Sequence, residues 1–252
     1  MVVLDCESRD STLASIAAIY GLPPTIIDEF LRGFDIDKHL RIDSLCRPSK
    51  ELLRLFERSL KCQATSLNEV YWFHLTRASS NANFMKNGIQ PLSQSLDFVW
   101  EAIFNVFRNT SHEAPLRALR QRKTSDDTYD QKLSHPMQGG PFAMLVRESA
   151  FRAEEMKNHD YLYLPEIMED ICNKYHKVSG ESIYDVLSIN LRPYIIKFSS
   201  RQQIGKHCIE SAIYYLYCET HNRDLSGDAN TCYDGNNETV RPEQIVSVTK
   251  ME

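Results

Sequence analysis

Residues 70–76, with the sequence VYWFHLT, place a histidine and a threonine two positions apart inside a hydrophobic stretch. Side chains alternate between the two faces of a strand, so His74 and Thr76 share one face with Trp72. The opposite face is predicted to lie on the core and carries Tyr71, Phe73 and Leu75. A buried imidazole or hydroxyl needs a hydrogen-bonding partner. The face of His74 is therefore either half exposed or the wall of a site for a flat, hydroxyl-rich ligand such as a nucleoside.

The residues after this strand predict a short helix. The segment SSNANFMKNG, residues 79–88, is expected to form it and to bury Phe84 and Met85. Gly88 is expected to end the helix in the left-handed αL conformation, which glycine adopts without steric cost. A half-exposed strand with a hydrogen-bonded histidine remains the alternative to a ligand site.

Composition limits the class of protein. At 252 residues, 42 % of them hydrophobic, the chain can bury a full core. Its formal net charge of −5 argues against non-specific binding to DNA or to anionic membranes. The seven cysteines are an odd number and include no C-x-x-C pair. This pattern argues against a disulfide framework or a zinc ribbon and predicts reduced thiols in a cytosolic protein.

Localisation and cofactor classes follow from the same survey. The N-terminus reaches acidic residues too early for a signal peptide, and no apolar run approaches the ~20 residues of a membrane span. We therefore expect a cytoplasmic protein, or one delivered into another cell without a conventional signal peptide. The eight histidines lack metal-ligand spacing, so no metal is expected. Phosphate-loop, dinucleotide-binding, zinc-protease and nucleophile-elbow motifs are absent from the sequence.

The predicted elements change character near residue 65. Three amphipathic helices precede it, the first capped by Ser11, and they favour a helical subdomain over 1–65 rather than a helix-turn-helix reader. Short β-rich runs and helices then interleave irregularly, which predicts an α+β domain over 66–252. Within that domain the segment 109–138 is polar and lacks periodicity, so we predict a mobile loop there.

The α+β domain is assigned from short segments. Strands are predicted at 70–76, 139–147, 160–164, 192–200 and at the C-terminus, within 239–251. Helices are predicted at 95–109, 165–175 and 204–221. Phe98 is expected to belong to the buried stripe of the first of these helices, because it lies close in helical spacing to other large apolar residues.

The order H-x-T, an asparagine-containing helix and then a G-[IL] pair resembles the first NAD-binding segment of the ADP-ribosyltransferase superfamily. The usual form there is H-G-T; this chain has His74-Leu75-Thr76, which is nearer to the DNA-modifying toxin members. The resemblance implies a mixed sheet of the ADP-ribosyltransferase type, with NAD as co-substrate. It also implies that His74 holds a ribose hydroxyl of NAD, that backbone groups beside it hold the nicotinamide amide, and that Thr76 belongs to the same binding segment.

The resemblance further implies a late glutamate that holds the 2′-hydroxyl of the nicotinamide ribose. Glu238, predicted just ahead of the last strand, is assigned this catalytic role, and Glu243 is the alternative. Loss of nicotinamide gives C1′ oxocarbenium character, so a fixed carboxylate near the ribose would stabilise the transition state.

Two further positions of the implied site remain open. The tyrosine or serine element of the family could fall at Tyr161, at Tyr163 or within 198–203, and Tyr163 is our choice. Either Arg77 or Arg147 could face the phosphates of NAD, because a planar guanidinium binds phosphate bidentately, and Arg77 is our choice.

The implied activity is transfer of ADP-ribose from NAD to a macromolecular target, either protein or nucleic acid, by a toxin, effector or defence protein. One alternative is an inactive member of the family that binds a nucleotide or a partner protein. Another is a non-enzymatic interaction protein whose N-terminal helices bind the partner. Stabilisation by NAD would separate the first two hypotheses from the third.

Overall fold

The structure, a computed structural model, describes residues 2–39, 47–121, 129, 132 and 139–251. Over these residues the chain forms helices and a six-stranded sheet, so the predicted α+β class is confirmed. The helices are α1 (Arg9–Tyr20), α2 (Pro24–Gly33), α3 (Pro48–Leu60), α4 (Phe84–Asn87), α5 (Leu92–Val106), α6 (Glu113–Gln121), α7 (Glu166–Ser179), α8 (Tyr184–Asn190) and α9 (Lys206–Thr220). The strands are β1 (Val3–Leu4), β2 (Glu69–Ala78), β3 (Phe142–Met144), β4 (Arg192–Ser200), β5 (Cys232–Asp234) and β6 (Ile245–Lys250). None of these helices is long and apolar enough to cross a membrane.

The sheet has the strand order β5-β3-β2-β4-β6, and β1 pairs beside β2. β1 runs parallel to β2, with Val3 opposite Glu69, whereas β3 runs antiparallel to β2, with Phe73 opposite Met144. The predictions of strands at 70–76, within 139–147, at 192–200 and at the C-terminus are confirmed. β2 is the longest strand and carries His74 and Thr76.

Serine and proline residues define the starts of the N-terminal helices. The N-cap of α1 is Ser8, not Ser11 as predicted, because the two serines form a capping box. The Ser11 N–H donates to Ser8 Oγ at 3.1 Å, and the Ser8 N–H donates to Ser11 Oγ at 2.9 Å. α2 and α3 each begin with a proline in the first turn, Pro24 and Pro48, where the missing N–H removes no helical hydrogen bond.

Contacts divide the chain into two compact units. Unit 1 comprises Met1–Phe73, Ala143–Asn158 and Phe198–Tyr233, and unit 2 comprises His74–Phe142, His159–Lys197 and Asp234–Glu252. The predicted helical subdomain, 1–65, lies within unit 1. Unit 2 contains all the predicted site residues, His74, Thr76, Arg77, Tyr163 and Glu238.

The core of unit 1 is built around α9, which packs against α1 and α3. Ten of its fifteen residues are buried, so neighbouring elements cover this helix on nearly all sides. The ring of Tyr217 is buried in this core, and its hydroxyl accepts a hydrogen bond from the Ile36 N–H at 3.2 Å. Buried tyrosines usually find such a partner for the hydroxyl.

The core of unit 2 joins α5, α6, α7 and α8 through one hydrophobic cluster. Its buried members are Trp100, Ile103, Phe104, Phe107, Leu116, Leu119, Tyr129, Leu164, Met168, Ile171, Cys172, Tyr175, Ile183, Leu187 and Leu191. The buried residues of α5, Trp100, Ile103 and Phe104, therefore belong to the core of unit 2. The remaining faces of α5 are not part of this core.

The predicted mobile loop over 109–138 is partly ordered secondary structure. Residues 113–121 form α6, so the loop prediction was wrong there, because Leu116 and Leu119 give the segment a short apolar stripe. Tyr129 is 7 % exposed and its hydroxyl accepts a hydrogen bond from Trp100 Nε1–H at 2.9 Å. The rest of the prediction concerns 122–128, 130–131 and 133–138, which lie outside the described residues.

The strand predicted at 160–164 was also wrong. This segment is a turn, because the Asp160 carboxylate accepts hydrogen bonds from the N–H groups of Leu162 at 3.1 Å and Tyr163 at 3.0 Å. An aspartate that bonds the backbone two and three residues ahead favours a turn over the alternating strand pattern. The following helix, α7, begins after Pro165 as predicted, whereas α8 was not predicted.

Candidate functional site

A cavity of about 610 Å³ in unit 2 contains three of the predicted site residues, His74, Thr76 and Arg77. Its walls come from the end of β2, the turn that follows it, α4 and one face of α5. We call it the β2/α5 cavity. The lining residues that bear on its chemistry are His74, Thr76, Arg77, Phe84, Phe98 and Glu101.

His74 is held in one tautomer by the main chain. Its Nδ1 lies 2.7 Å from the carbonyl oxygen of Phe142, and because a carbonyl can only accept, Nδ1 carries the proton. Burial lowers the pKa of His74 below its usual 6.5, and the bond to Phe142 opposes this shift only in part. The imidazole is therefore neutral at pH 7, and Nε2 can accept a hydrogen bond from a ligand hydroxyl.

Thr76 keeps its hydroxyl available. The Oγ1 atom is 3.5 Å from the carbonyl oxygen of Arg77, at the outer limit of a hydrogen bond. Trp72, which was predicted to share the ligand face with these residues, is fully buried and packs against Tyr233 with the ring centroids 5.6 Å apart. The prediction for Trp72 was wrong, because this tryptophan fills the core.

Arg77 acts as a backbone clamp within unit 2. Its guanidinium donates hydrogen bonds to three main-chain carbonyls, those of Leu162 (2.5 Å), Leu191 (2.8 Å) and Ser188. These oxygens belong to the 160–164 turn, to α8 and to the residue after α8. Burial lowers the pKa of Arg77, while the charge of Asp160 acts in the opposite direction. Arg77 lines the cavity, yet three of its five N–H donors already have protein partners.

Tyr163 lies in the turn that Arg77 clamps. Its hydroxyl donates to the Asp185 carboxylate at 2.9 Å, and its ring centroid is 5.5 Å from that of Tyr184. Tyr163 is not among the described residues that line the β2/α5 cavity. The alternative Tyr161 donates its hydroxyl to Glu166 at 2.8 Å. Arg147, the alternative to Arg77, belongs to unit 1, where its guanidinium lies 5.3 Å from the ring of Phe151.

Gly88 ends α4 at a close approach between two chain segments. Its φ of 69° is positive as predicted, but its ψ of −162° is not that of the αL conformation. A Cβ atom there would lie 2.1 Å from the carbonyl oxygen of Val240. Ile89, the next residue, exchanges two backbone hydrogen bonds of 2.9 Å with Val240. Glycine is required at position 88 because a side chain there would force the two paired chain segments apart.

The side chains of α4 differ from the prediction. Met85 was predicted to be buried but is 52 % exposed, and Phe84 is only half buried. The reason is that α4 is a single turn, which cannot bury two consecutive residues on one face. Asn83 caps it by accepting a hydrogen bond from the Lys86 N–H at 3.0 Å.

Glu238 lies on an exposed turn next to the start of α5. Its N–H donates to the Gly235 carbonyl at 2.8 Å, and its side chain is exposed. The residues on either side are tied to α5, since Ser93 Oγ donates to Asn237 Oδ1 at 2.8 Å and Thr239 Oγ1 donates to Gln94 Oε1 at 3.2 Å.

The last strand begins farther from Glu238 than we predicted. β6 starts at Ile245, and Val240, two residues after Glu238, instead pairs with Ile89 at the cavity wall. Glu238 is not among the described lining residues. The alternative, Glu243, is exposed within a single 3-10 turn, Pro242–Gln244.

Sequence reasoning missed the contribution of α5. Ser95, Phe98, Glu101 and Asn105 recur at helical spacing and line the cavity. Phe98 was predicted to be buried in the core stripe, yet it is 62 % exposed. A sequence signal for this face was present. Ser95, Phe98, Glu101 and Asn105 are spaced by three and four residues and so form a second stripe beside the buried one of Trp100, Ile103 and Phe104.

Comparisons with protein-family models, with curated proteins and with solved structures gave no match to this chain. The chemistry of the cavity therefore provides the structural indication of function. Among the described residues no group of three or more histidines, cysteines, aspartates or glutamates could hold a metal ion.

Proposed function

We propose that the protein is an NAD-consuming enzyme of the ADP-ribosyltransferase type that modifies a macromolecular target. The observation that supports this proposal is the placement of His74 and Thr76 together on the wall of a cavity of about 610 Å³. Cavities that hold small ligands and cofactors range over roughly 300–1,000 Å³. The H-x-T pair thus faces a space large enough for a nucleotide ligand.

The groups around the cavity fit the two ribosides of such a ligand. The Nε2 of neutral His74 accepts from a ribose hydroxyl, and Thr76 Oγ1 can donate to or accept from another. Phe84 and Phe98 offer apolar rings for a base. Amide side chains also line the cavity, and their NH₂ groups can donate hydrogen bonds to the edge of a base or to a carboxamide: Asn81, Asn83, Asn87, Gln90 and Asn105.

The proposed reaction cleaves the bond between C1′ of the ribose and nicotinamide, and the ribosyl carbon then bonds to a nucleophile on the target. Positive charge develops on the ribose, so a nearby carboxylate lowers the barrier. We assign this role to Glu238, which is solvent-exposed and lies two residues from the pairing of Val240 with the cavity residue Ile89.

A second candidate function is nucleotide binding without catalysis. Arg77 favours it, because three of its N–H donors bond to main-chain carbonyls and so fewer remain for a pyrophosphate. Arg77 is also the only cationic side chain among the described residues that line the cavity. A protein that binds only the nucleoside part of a ligand would need no further cationic side chain in the cavity.

Thermal stability in the presence of NAD tests both functions. A ligand that binds only the folded state at 100 times its Kd stabilises it by about 2.7 kcal/mol. For a chain of this size we expect a rise in Tm of roughly 5–10 °C. His74→Ala is expected to reduce that rise, whereas His176→Ala, a change on the exposed face of α7, should leave it intact.

Release of nicotinamide then separates the two candidate functions. Stabilisation by NAD with nicotinamide release supports the enzyme, and stabilisation without release supports the binding protein. A wild-type protein that NAD does not stabilise at millimolar concentrations would contradict both proposals. A His74→Ala protein that still responds to NAD like the wild type would remove the observation on which they rest.

A further inference from the structure

One wall of the β2/α5 cavity carries an exposed aromatic ring and a carboxylate side by side. Phe98 and Glu101 are three residues apart on α5, a spacing that makes side chains neighbours on a helix surface. Both residues line the cavity. Phe98 is 62 % exposed, although phenylalanine is usually buried, so its ring is available to a ligand.

Glu101 is the only carboxylate among the described residues that line the cavity. It also borders a second depression between α5 and α6 that contains three arginines. Two of these arginines form ion pairs with carboxylates other than Glu101: Arg117 with Glu113 at 3.0 Å and Arg120 with Asp97 at 2.5 Å. The third, Arg108, donates to Asn105. No ion pair between described residues includes Glu101, so its charge remains available to a ligand.

The positive charge of Arg77 on the cavity wall is partly balanced. Its guanidinium faces three carbonyl dipoles, and Asp160 supplies a nearby negative charge. The part of the wall formed by Phe98 and Glu101 is therefore suited to a cation. A positive charge near the face of an aromatic ring is attracted by the ring quadrupole, and a carboxylate beside the ring adds to that attraction.

We propose that the β2/α5 cavity selects a positively charged planar nitrogen heterocycle over its neutral counterpart, through the ring of Phe98 and the carboxylate of Glu101. This inference rests on the proposed function, because the oxidised nicotinamide ring of NAD is such a cation. The ring becomes neutral when its bond to the ribose breaks. The Phe98–Glu101 pair thus holds the substrate more tightly than the released nicotinamide, and it contributes to substrate binding and not to stabilisation of the transition state.

Two small probes that differ in charge test the selectivity. The cation 1-methylnicotinamide and neutral nicotinamide share a ring and an amide, and NMR titration measures both affinities even when they are weak. For the wild-type protein we expect the cation to bind roughly 10-fold more tightly, the combined scale of one cation–π contact and one exposed charge pair. Glu101→Gln should reduce the preference to about 2-fold, because the substitution removes the charge and keeps the shape.

The control is Glu29→Gln, which removes a carboxylate from the exposed surface of α2 in unit 1 and should leave the preference unchanged. If the small probes bind too weakly to titrate, the preference for a cationic ring is measured instead with NAD and NADH, which differ in the charge of the nicotinamide ring. Glu101→Gln should weaken binding of NAD and leave binding of NADH nearly as it was. Raised salt should reduce the preference of the wild type, as expected for an exposed charge pair.

The outcomes for this inference and for the proposed function are distinct. A preference for the cation that falls from roughly 10-fold to about 2-fold in Glu101→Gln supports the inference. Equal affinity of the wild type for both charge states, or a preference that is as large in Glu101→Gln as in the wild type, overturns it even if NAD binds and is consumed. Failure of all four ligands to bind the wild-type protein overturns the inference and the proposed function together.

Discussion

The guanidinium of Arg77 donates from Nε to the main-chain carbonyl of Leu162 at 2.5 Å, which ties the end of β2 to the turn over 160–164. A second donor, Nη1, reaches the Leu191 carbonyl at 2.8 Å, just ahead of β4. One side chain thus donates hydrogen bonds to main-chain carbonyls of three separate residues, Leu162, Ser188 and Leu191. Arg77, which lines the cavity, therefore connects the end of β2 to two other segments of unit 2.

Arg77→Lys is expected to destabilise the protein by about 1–3 kcal/mol, the cost of leaving buried carbonyls unsatisfied. A lysine keeps the charge but not the planar set of donors that reaches three carbonyls. Urea unfolding measures the change. Arg117→Lys is the control, since Arg117 is exposed and paired with Glu113, and its effect should stay within about 0.5 kcal/mol. Equal stabilities of the two variants would show that the clamp does not support the fold.

Gly88→Ala is expected to destabilise the protein by about 2 kcal/mol or more, because its Cβ would lie 2.1 Å from the Val240 carbonyl oxygen and its φ is positive. Gly180→Ala is the matched control: its φ of 76° is also positive, but among the described residues, its two chain neighbours aside, no atom lies within 4 Å of its Cβ position. That variant should lose only about 1 kcal/mol. Similar losses in both would mean that the approach to Val240 relaxes easily.

Local patterns predicted elements well where one physical signal dominated. The prolines in the first turns of α2 and α3 and the β-branched and aromatic residues at the start of β2 are signals of this kind. The segment 160–164 shows the limit, because its Tyr-Leu-Tyr-Leu alternation suggests a strand until the Asp160 carboxylate bonds two N–H groups and closes a turn.

The candidate site could be predicted only in part. His74 and Thr76 stood out because polar side chains interrupt a hydrophobic strand, and both line the cavity. Phe98 and Glu101 did not stand out, because helical periodicity marks two stripes on α5 and only tertiary packing decides which of them faces the core. Chain contacts of long sequence separation, such as that of Ile89 with Val240, leave no local signal at all.

His74 should make the stability of the protein depend on pH. Because burial lowers its folded-state pKa below the usual 6.5, the unfolded chain binds more protons than the folded one between those two pKa values. Its contribution to stability is therefore complete above about pH 7 and is lost as the pH falls through the lowered pKa.

The His74→Gln variant should lose this part of the pH dependence. A glutamine amide can still donate to the Phe142 carbonyl but does not titrate. Unfolding free energies at a series of pH values from 7.5 to 5 measure the effect, and the wild type should fall more steeply than the variant. His176→Gln, on an exposed face, is expected to follow the wild type. Parallel curves for wild type and His74→Gln would show that His74 is protonated equally readily in both states.

Glu238→Gln is expected to lower the turnover of NAD by ~10²-fold or more, the scale of removing one well-placed electrostatic group. The substitution keeps the size of the side chain, and the hydrogen bonds that fix this turn belong to other groups, the Glu238 N–H and the side chains of Asn237 and Thr239. The fold and the KM for NAD should therefore change little, so the loss should appear in kcat. Nicotinamide release under saturating NAD measures it.

Glu243→Gln is the control for this prediction, because Glu243 lies in a separate 3-10 turn ahead of β6 and is also exposed. Loss of turnover in Glu243→Gln with full activity in Glu238→Gln would transfer the catalytic role to Glu243. Glu101→Gln differs from both, since it should act on the affinity for the cationic ring and so raise KM. Full turnover in all three variants would mean that no carboxylate among them stabilises the ribosyl cation, and the assignment of Glu238 would fall even though NAD is consumed.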